Sequence, residues 1–327
     1  MNILVTGGAG YIGSHMMKLL QRSGYRPVAA DDLSSGRREA VLGADLHVGD
    51  IGDAAFVDGL LAATRPAAVI HFAGFIQVGE SLADPARYYR NNVGATQVLL
   101  DGMRAHGLSR FIFSSTAAIF GDPRYLPIDE AHPPAPINPY GRSKWMVEQM
   151  LADYDAAYGM PSVCLRYFNA AGADSAGELG ECHQPETHLI PLLLQVASGR
   201  RPHLTVYGND YDTNDGTCVR DYIHVEDLCQ AHLLALEQLL QGAGSADYNL
   251  GNGQGFSVQE VIQAARRVTG HSIPVVMGER RAGDPSRLVA DARRARDRLG
   301  WQPRHAELDT IVAHAWAWER KHRQWAQ

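Results

Sequence analysis

Residues 2–13 read NILVTGGAGYIG, a short apolar run that leads into a cluster of glycines, and this stretch decides the fold. The apolar run predicts a buried strand, and the pattern over residues 11–22 predicts a helix. Gly7, Gly10 and Gly13 lie between them in the order GxxGxxG. Such glycines let the main chain approach a pyrophosphate at the positive end of the helix. The stretch therefore predicts a dinucleotide site, and the alternative is a tight glycine turn that only packs the helix on the strand.

Short apolar strands continue to alternate with helical stretches through the first half of the chain. Further strands are predicted at PVAADD, LHVGD, AAVIHFAG, RFIFSST and SVCLRYFN, with helices near residues 86–106 and from Pro139. This alternation predicts a parallel sheet that is covered on both faces. We expect a doubly wound α/β domain over residues 1–169, to which a segment near 219–241 returns, and a smaller mixed α/β lobe over 170–327.

Composition and charge exclude several classes of protein. The 327 residues are 45% hydrophobic and 20% charged, which is typical of a globular chain with room for two lobes. A net charge of −6 argues against a broad nucleic-acid surface. No apolar run approaches the roughly 18 residues of a membrane span, and no signal peptide is evident. The four cysteines form no CxxC pair, so we expect reduced thiols in a cytoplasmic protein.

Two acids at the end of the second predicted strand indicate which dinucleotide binds. Asp31 follows Gly10 by about 20 residues, where a carboxylate accepts hydrogen bonds from the adenosine ribose. Asp31 and Asp32 would also repel a 2′-phosphate, which favours NAD over NADP. Arg37 and Arg38 are the one indication of NADP. These arginines are weaker evidence than the acids, because no basic residue directly follows Asp31 and Asp32. The alternative interpretation of the two acids is that they lie in a solvated loop without a ligand.

A tyrosine and a lysine four residues apart predict a general base. Asn138 is a predicted helix N-cap and Pro139 the first helical residue, which puts Tyr140 and Lys144 on one face. The chain has only three lysines, so a lysine at this position suggests a role that arginine performs badly. A nearby ammonium stabilises a phenolate and would lower the tyrosine pKa from its usual value near 10. The alternative is an exposed tyrosine–lysine pair without a chemical role.

Hydroxyl residues end the fifth predicted strand and complete a catalytic set. Thr116, with Ser115 beside it, can hydrogen-bond a substrate oxygen next to Tyr140. A set of this kind beside a nicotinamide removes a proton from an alcohol while the alcohol carbon loses a hydride. No group of His, Asp and Glu with recognisable ligand spacing was identified in the sequence, so we expect no metal.

Several stretches together resemble the extended short-chain dehydrogenase/reductase family, and within it the UDP-sugar 4-epimerases, over nearly the whole chain. They include VTGGAGYIGSH, FIFSSTAAIFGD, NPYGRSKWMVEQ, LRYFNAAGA and GNDYDTNDGTCVRDYIHVEDL. The resemblance implies a Rossmann domain, retained NAD, a homodimer and an isomerase that interconverts UDP-galactose and UDP-glucose. In the implied reaction Tyr140, assisted by Thr116, takes the proton of the sugar 4-hydroxyl, and a 4-keto sugar forms before hydride returns to the opposite face.

The resemblance also implies contacts for the residues that match the family's motifs. Cofactor contacts are implied for Gly7, Gly10, Tyr11, Ile12, Gly13, Asp31, Asp32, Asp50, Ile51, Phe72, Ala73, Gly74, Asn91, Ser114, Tyr140, Lys144 and Tyr167. Substrate contacts are implied for Thr116, Tyr140, Asn169, His188, Leu189, Tyr207, Arg220, Arg281 and Asp284. The two arginines suit a diphosphate because a guanidinium can make paired charge-assisted hydrogen bonds.

Three positions depart from patterns in the family. Ile76 replaces a lysine that contacts the cofactor in many relatives, so one charge contact to NAD is missing. His188 replaces an asparagine, and either caps a helix or contacts the nucleotide. Leu288 matches the position that lines the sugar pocket, where some relatives have tyrosine and others a small residue. The size of Leu288 leaves the preference for N-acetylated sugars open.

Three other functions fit the sequence less well. A nucleotide-sugar 4,6-dehydratase needs an acid and a base after the strand-end threonine, and Ala117 and Ala118 cannot transfer protons. A 4-epimerase of a UDP-N-acetylhexosamine or a UDP-pentose remains an alternative. A non-catalytic NAD-sensing protein is the remote one, because such a protein could dispense with the tyrosine and the lysine.

Overall fold

The structure is a computed structural model that describes residues 1–280 and 285–321. Its α-helices are α1 (Tyr11–Arg22), α2 (Ala54–Thr64), α3 (Val78–Ala83), α4 (Pro85–Tyr88), α5 (Ala95–Ala105), α6 (Pro139–Tyr158), α7 (Leu189–Ala197), α8 (Val225–Leu240), α9 (Val258–Thr269), α10 (Arg293–Leu299) and α11 (Leu308–Lys321). Its strands are β1 (Asn2–Thr6), β2 (Arg26–Asp31), β3 (Asp45–Val48), β4 (Ala68–His71), β5 (Phe111–Thr116), β6 (Ser162–Tyr167), β7 (Asn169–Ala171), β8 (Leu204–Tyr207), β9 (Val219–His224), β10 (Ala246–Leu250), β11 (Gly255–Ser257), β12 (Val275–Gly278) and β13 (Arg287–Leu288).

Seven strands form one sheet in the order β10-β6-β5-β4-β1-β2-β3. Every neighbouring pair in this sheet is parallel, and Leu4 of β1 lies between Val28 of β2 and Val69 of β4. The order changes direction between β1 and β4, which opens a crevice at their carboxyl ends. The predicted doubly wound α/β fold is therefore confirmed.

Apolar side chains from both faces explain why this sheet is stable. All residues of β4 and β5 are buried, as expected of parallel strands that have helices on each side. One face packs against α1 and α8 through residues such as Met16 and Leu236. The other face packs against α2, α5 and α6 through residues such as Leu61, Leu99 and Val147.

A second, smaller lobe has its own sheets and its own core. Strands β11, β9 and β13 pair in that order, β7 also pairs with β9, and β8 pairs with β12. Helices α7, α9 and α11 pack together through Leu193, Val261, Ile311 and Trp316. The predicted mixed α/β lobe after the main domain is confirmed as an architecture.

The chain passes between the lobes more often than the sequence indicated. Helix α8 packs on α1, whereas β9, which directly precedes it, belongs to the second sheet. Strand β10 then pairs with β6 and completes the main sheet. Only Tyr248, Asn249 and Leu250 of this strand are buried. The strand therefore lacks the continuous apolar run that would identify a buried strand in the sequence. The division at residue 169 stays a prediction about the limits of the two domains.

Two local predictions concern the helices around the site. The Asn138 side chain accepts a 2.8 Å hydrogen bond from the Gly141 nitrogen, which confirms the predicted cap of α6. The single helix expected near residues 86–106 is instead α4, a π-helical segment at Tyr89–Gly94, and α5. Such wide turns occur often at functional sites, and this one contains Asn91 and Asn92.

Two further observations bear on the class of protein. Across residues 1–280 and 285–321, no helix has both the length and the apolar character that crossing a membrane would require. The four cysteines, all within the described part of the chain, are thiols rather than disulfides. This confirms the expected reduced thiols.

Candidate active site

The glycine-rich loop lies between β1 and α1, at the crevice of the main sheet. Gly10 is the N-cap of α1, where no described side chain caps the helix. Gly7 has a left-handed φ of +70°, and a Cβ there would lie 2.6 Å from the Ala73 nitrogen. A Cβ on Gly13 would lie 2.0 Å from the Gly7 carbonyl oxygen. The close packing excludes side chains and keeps the first N–H groups of α1 for a ligand, so the loop fits a dinucleotide pyrophosphate.

The acid at the end of β2 is tied to this loop. The Asp31 carboxylate accepts 2.9 Å hydrogen bonds from the nitrogens of Ala9 and Leu33. Burial raises the pKa of Asp31 although both hydrogen bonds oppose the rise. Each carboxylate oxygen retains a lone pair that can accept from a ribose hydroxyl. Asp32 is exposed and accepts from the Ser34 nitrogen at 2.8 Å, which places it at the rim of the crevice.

The remaining predicted cofactor residues lie along the same edge. Phe72, Ala73 and Gly74 follow β4, and Phe72 and Ala73 back the glycine loop. Asp50 is exposed and accepts from the Gly52 nitrogen at 2.7 Å, while Ile51 is buried.

Tyr11 and Asn91 use their side chains within the protein. The Tyr11 hydroxyl donates a 2.8 Å hydrogen bond to the Gly172 carbonyl, whereas the neighbouring Ile12 packs against the core beneath α1. Asn91 donates to Asn92. Asn92 bonds both backbone groups of Phe75, at 2.8 and 3.0 Å, and so fixes the loop after β4. Asn92 was not predicted as a site residue, because its only signal in the sequence is its place beside Asn91.

Thr116, Tyr140 and Lys144 come together at the carboxyl end of β5. The Thr116 side chain lies beside the Tyr140 phenol and acts to lower its pKa. The Lys144 ammonium donates a 3.0 Å hydrogen bond to the Ser114 carbonyl. A Cβ on Gly74 would lie 3.5 Å from the Lys144 nitrogen, so the lysine also reaches the loop beside the glycine-rich turn.

The electrostatics of this set differ from the sequence-based expectation. Burial raises the pKa of Tyr140, and only the hydrogen bond from Thr116 opposes the rise. Burial also lowers the pKa of Lys144 to about 8. Lys144 does not lower the Tyr140 pKa here because its ammonium is directed to a backbone carbonyl and is itself out of water.

The two serines before Thr116 face opposite sides of β5. Ser114 shares a face with Thr116, and its hydroxyl is hydrogen-bonded to that of Tyr167 on β6. Ser115, expected beside the substrate, instead donates to the buried carboxylate of Glu148. Side chains alternate along a strand, so a residue next to Thr116 must point away from it. The expectation for Ser115 was wrong.

Part of the predicted substrate set meets on the second sheet. Arg220 and Leu288 are partners in the β9–β13 register, and Asn169 donates a 3.1 Å hydrogen bond to the Asp221 carbonyl. Leu288 and Phe168 pack on the small apolar cluster that contains Ala117. These contacts place the predicted sugar-pocket residue near the strand end that bears Thr116.

Other predicted substrate residues are more dispersed. Tyr207 ends β8 and is 42% exposed. His188 is the N-cap residue of α7 but makes no side-chain capping bond within the described chain, and Leu189 is the first residue of that helix. The capping alternative for His188 is therefore wrong, because its ring is held by Glu181 and Glu186. Arg281 and Asp284 lie outside the described residues.

Two clusters of His and Glu side chains lie close enough to hold a metal ion, although no ligand spacing was recognised in the sequence and no metal was expected. The ligating atoms of Glu181, His183, Glu186 and His188 all lie within 4.8 Å of one another. The same holds for a second cluster of His224, Glu226 and His305. The first spacing, E-x-H-x-x-E-x-H, was visible in the sequence but was missed because it lies in a loop.

A dinucleotide loop at the switch point of the sheet, together with Thr116, Tyr140 and Lys144 at the end of β5, defines a class of enzymes. Its members oxidise or reduce an alcohol carbon with a nicotinamide cofactor. The chain belongs to the NAD dependent epimerase/dehydratase family, whose sequence model matches residues 3–251. The resemblance to extended short-chain dehydrogenases/reductases is thereby confirmed.

Individual relatives are similar over nearly the whole chain. The UDP-glucose 4-epimerase of Rhizobium leguminosarum bv. trifolii is 52% identical over 322 residues, which cover 98% of each chain. The solved UDP-glucose 4-epimerase from Brucella ovis, in complex with NAD, is 54% identical with a TM-score of 0.94 and covers 96% of this chain and 97% of its own. The enzyme from Bifidobacterium longum, in complex with NAD+ and UDP, is 40% identical with a TM-score of 0.93 and covers 99% of each chain.

Proposed function

We propose that this protein is an isomerase that interconverts UDP-galactose and UDP-glucose through NAD-mediated oxidation and reduction at sugar C4. The observation that carries the chemistry is the grouping of Tyr140, Thr116 beside its phenol, and the Lys144 ammonium 3.0 Å from the Ser114 carbonyl, at the carboxyl end of β5. The relatives that support the substrate are UDP-glucose 4-epimerases about half identical in sequence. A 4-keto sugar is the intermediate on this route.

NAD is the cofactor of this reaction, and the crevice residues would hold it. The glycine-rich loop would take the pyrophosphate, Asp31 the adenosine ribose, and Lys144 the nicotinamide ribose. When bound, NAD would supply the hydride acceptor and donor for the sugar carbon, and its oxidised ring would bring a positive charge. Because the same cofactor is regenerated in each cycle, the protein needs to retain NAD rather than exchange it.

Tyr140 would hold the proton that leaves the sugar 4-hydroxyl, and Thr116 would orient that hydroxyl. The phenol keeps its own proton at neutral pH in the structure, since burial raises its pKa. Positive charge that arrives in the crevice favours the phenolate. Lys144 would then stabilise the phenolate if its ammonium turned from Ser114. Proton transfer by a positioned side chain contributes roughly 10²- to 10⁴-fold to the rate.

The second lobe would anchor the nucleotide and leave the sugar free to turn. Arg220 would contact the diphosphate, together with Arg281 and Asp284, which lie outside the described residues. Asn169 would contact the sugar, and Tyr207 would stack near the uracil. His188 and Leu189, at the start of α7, complete the proposed substrate contacts. Firm anchoring at the diphosphate with few contacts at the sugar is what presentation of both sugar faces requires.

A dehydratase reaction is disfavoured by the residues after Thr116. Ala117 is buried in the small cluster that also contacts Leu288. The Ala118 carbonyl lies against Gly141, where a Cβ would be only 2.4 Å away. Neither side chain can donate or accept a proton, so elimination of water lacks its acid and base at this position.

A homodimer in the cytoplasm is part of the proposal. Met146 and Tyr158 on α6 are 41% and 54% exposed, and exposed apolar side chains of this size suit a two-fold contact. Light scattering with size-exclusion chromatography measures the oligomeric state, and a monomeric mass would contradict the dimer. The reduced cysteines agree with a cytoplasmic location.

Product analysis tests the proposed function directly. The purified protein is incubated with UDP-galactose, and separately with UDP-N-acetylgalactosamine, without added NAD, and the products are separated by chromatography. We expect UDP-glucose from the first reaction. Conversion of both substrates would mean that the pocket beside Leu288 admits the N-acetyl group.

Bound NAD is measured in the same preparation, so that weak retention of the cofactor can be distinguished from a lack of epimerase activity. If turnover appears only after NAD is added, the cofactor is weakly retained, as the replacement of a lysine by Ile76 would allow. NAD bound without turnover of either substrate, with or without added NAD, would contradict the proposed activity and favour a NAD-sensing protein.

A further inference from the structure

Four polar side chains outside the crevice converge in the loop that precedes α7. They are Glu181, His183, Glu186 and His188. The Glu181 carboxylate lies 3.0 Å from the His183 Nδ1 and 2.7 Å from the His188 Nδ1. Glu186 lies 3.0 Å from the His188 Nδ1 and 3.9 Å from the His183 Nδ1. Two imidazole nitrogens and two carboxylates thus surround one point.

Further hydrogen bonds hold the Glu186 carboxylate and the Glu181 backbone in place. Glu186 accepts from the backbone nitrogens of Thr187 and His188, each at 2.8 Å. The Glu181 carbonyl accepts a 3.1 Å hydrogen bond from the Trp318 indole of α11. Outer contacts of this kind orient the ligands in metal sites.

The exposures of the four side chains also suit a metal site that an ion enters from solvent. The side chains of Glu181 and Glu186 are each 6% exposed, whereas the rings of His183 and His188 are 20% and 42% exposed. Both carboxylates are out of water, and the two histidine rings face the entry route. The histidine rings pair with these carboxylates in the structure, and a bound cation would take over that pairing.

We propose that Glu181, His183, Glu186 and His188 bind one divalent transition-metal ion of the zinc class. Imidazole and carboxylate ligands in equal number suit Zn²⁺ and its first-row neighbours, while Ca²⁺ and Mg²⁺ prefer oxygen ligands alone. Zinc–ligand bonds of about 2.0–2.2 Å need only a small outward movement of atoms that already lie within 4.8 Å of one another.

The ion would act on the structure rather than on the reacting sugar. It would fix the loop against α7, whose first residue is Leu189, and against the glycine-rich loop, since the His183 ring lies 6.4 Å from the Tyr11 ring. His188 is also among the proposed substrate contacts, so the metal and the nucleotide would share this residue. Metal content is measured without turnover, which tests this proposal separately from the proposed function.

The second cluster differs and provides a matched control. His224 Nδ1 accepts from the Glu226 nitrogen at 3.1 Å, and His224 Nε2 is bonded to His314 at 2.9 Å. Both ring nitrogens of His224 are therefore engaged by the protein, and burial lowers the pKa of this ring to about 2. We expect this cluster to remain a neutral histidine network without metal.

Metal content and Co²⁺ absorption test the proposal. The full chain is stripped with a chelator, reloaded with Zn²⁺ or Co²⁺, passed through a desalting column and analysed by mass spectrometry for metal. We expect one equivalent per chain, a visible Co²⁺ absorption typical of nitrogen–oxygen ligands, and a higher melting temperature when Zn²⁺ is present.

Variants locate the ion and separate binding from folding. We expect His183→Gln and Glu181→Gln to weaken Zn²⁺ binding by more than the roughly 10- to 100-fold that loss of an outer contact costs, with an unchanged circular dichroism spectrum. His305→Gln should keep the full metal content. Loss of metal in His305→Gln alone would overturn the assignment. A wild-type chain that retains no metal after desalting would overturn it as well, and would leave the four residues as ion pairs only.

Discussion

The Lys144 ammonium group donates a 3.0 Å hydrogen bond to the carbonyl oxygen of Ser114, two residues before the strand-end threonine. This contact holds the lysine below the crevice with its charge out of water, and burial lowers its pKa to about 8. The lysine is therefore costly to the folded state, which is expected of a group kept for a chemical task.

Replacement of Lys144 by Met should stabilise the protein while it reduces turnover. The pKa is 10.5 for a free lysine and about 8 in the folded state, so the folded state binds protons less tightly than the unfolded state. The buried lysine destabilises the folded state by its full amount below about pH 8, and this destabilisation disappears as the pH rises through about 10.5. We expect Lys144→Met to be about 2 kcal/mol more stable near pH 7, with the gap closing toward pH 10.

Chemical denaturation at several pH values measures this gap. Lys321→Met is the control, because Lys321 is exposed on the last helix and donates a single 2.9 Å hydrogen bond to the Gly177 carbonyl, so its loss should change stability only slightly. A Lys144→Met variant that is less stable than the wild type near neutral pH would contradict the burial argument.

Tyr140→Phe should retain NAD and lose most turnover. The variant keeps the ring and removes the hydroxyl beside Thr116, so the crevice keeps its shape without a proton acceptor. We expect a loss of roughly 10²- to 10⁴-fold in kcat, with bound NAD measured by absorption after denaturation. Tyr158→Phe on the same helix is the control, because that ring is 54% exposed. Near-normal turnover in Tyr140→Phe would exclude Tyr140 as the base.

Gly13→Ala should disrupt the dinucleotide loop. The added Cβ would lie 2.0 Å from the Gly7 carbonyl oxygen, so the loop must move. We expect loss of bound NAD and reduced stability. Gly59→Ala in α2 is the matched control: its Cβ would meet nothing within 4 Å, and alanine in a helix should stabilise the protein by about 0.5–1 kcal/mol. Full NAD content in Gly13→Ala would contradict the role of the loop.

Arg166→Met should strongly destabilise the protein. Arg166 pairs with Glu148 at 2.6 Å and with Asp247 at 2.7 Å, and its side chain is only 8% exposed. Removal of one partner leaves a buried carboxylate, at a cost of about 3–5 kcal/mol. The double variant Arg166→Met/Glu148→Met should recover part of that loss in urea denaturation. Equal instability of the single and double variants would show that packing, rather than the unpaired charge, dominates.

Leu288 should set the tolerance for N-acetylated sugars. Its side chain packs on the cluster that contains Ala117 and pairs in register with Arg220. Leu288→Ala should raise the kcat/KM ratio of UDP-N-acetylgalactosamine to UDP-galactose, and Leu288→Tyr should lower it, each by about 10-fold. Steady-state kinetics with both substrates measures the ratio. A ratio unchanged in both variants would remove Leu288 from the sugar pocket.

Local patterns in the sequence were sufficient for much of the fold. The glycine-rich turn, the Asn138 cap and the alternation of short apolar strands with helices each depend on neighbouring residues, so they could be predicted without tertiary contacts. The strand β10 was not assigned to the main sheet, because its pairing with β6 is decided by a partner some eighty positions earlier in the chain.

The candidate site was likewise predicted in part. The sequence placed Tyr140 and Lys144 on one helix face, because the helix period alone relates residues four apart. It could not show that the Lys144 ammonium would bond to Ser114 rather than approach the phenol, since that depends on how α6 packs against β5.

The sequence by itself determined the doubly wound domain, the dinucleotide loop and the family, because each is encoded in short contiguous stretches. Tertiary structure alone decided the side of β5 that Ser115 faces, the burial that raises the Tyr140 pKa, and the convergence of Glu181, His183, Glu186 and His188. The burial of a side chain and the convergence of several side chains both depend on groups that are distant in the chain. They become fixed only when the sheets and helices pack together.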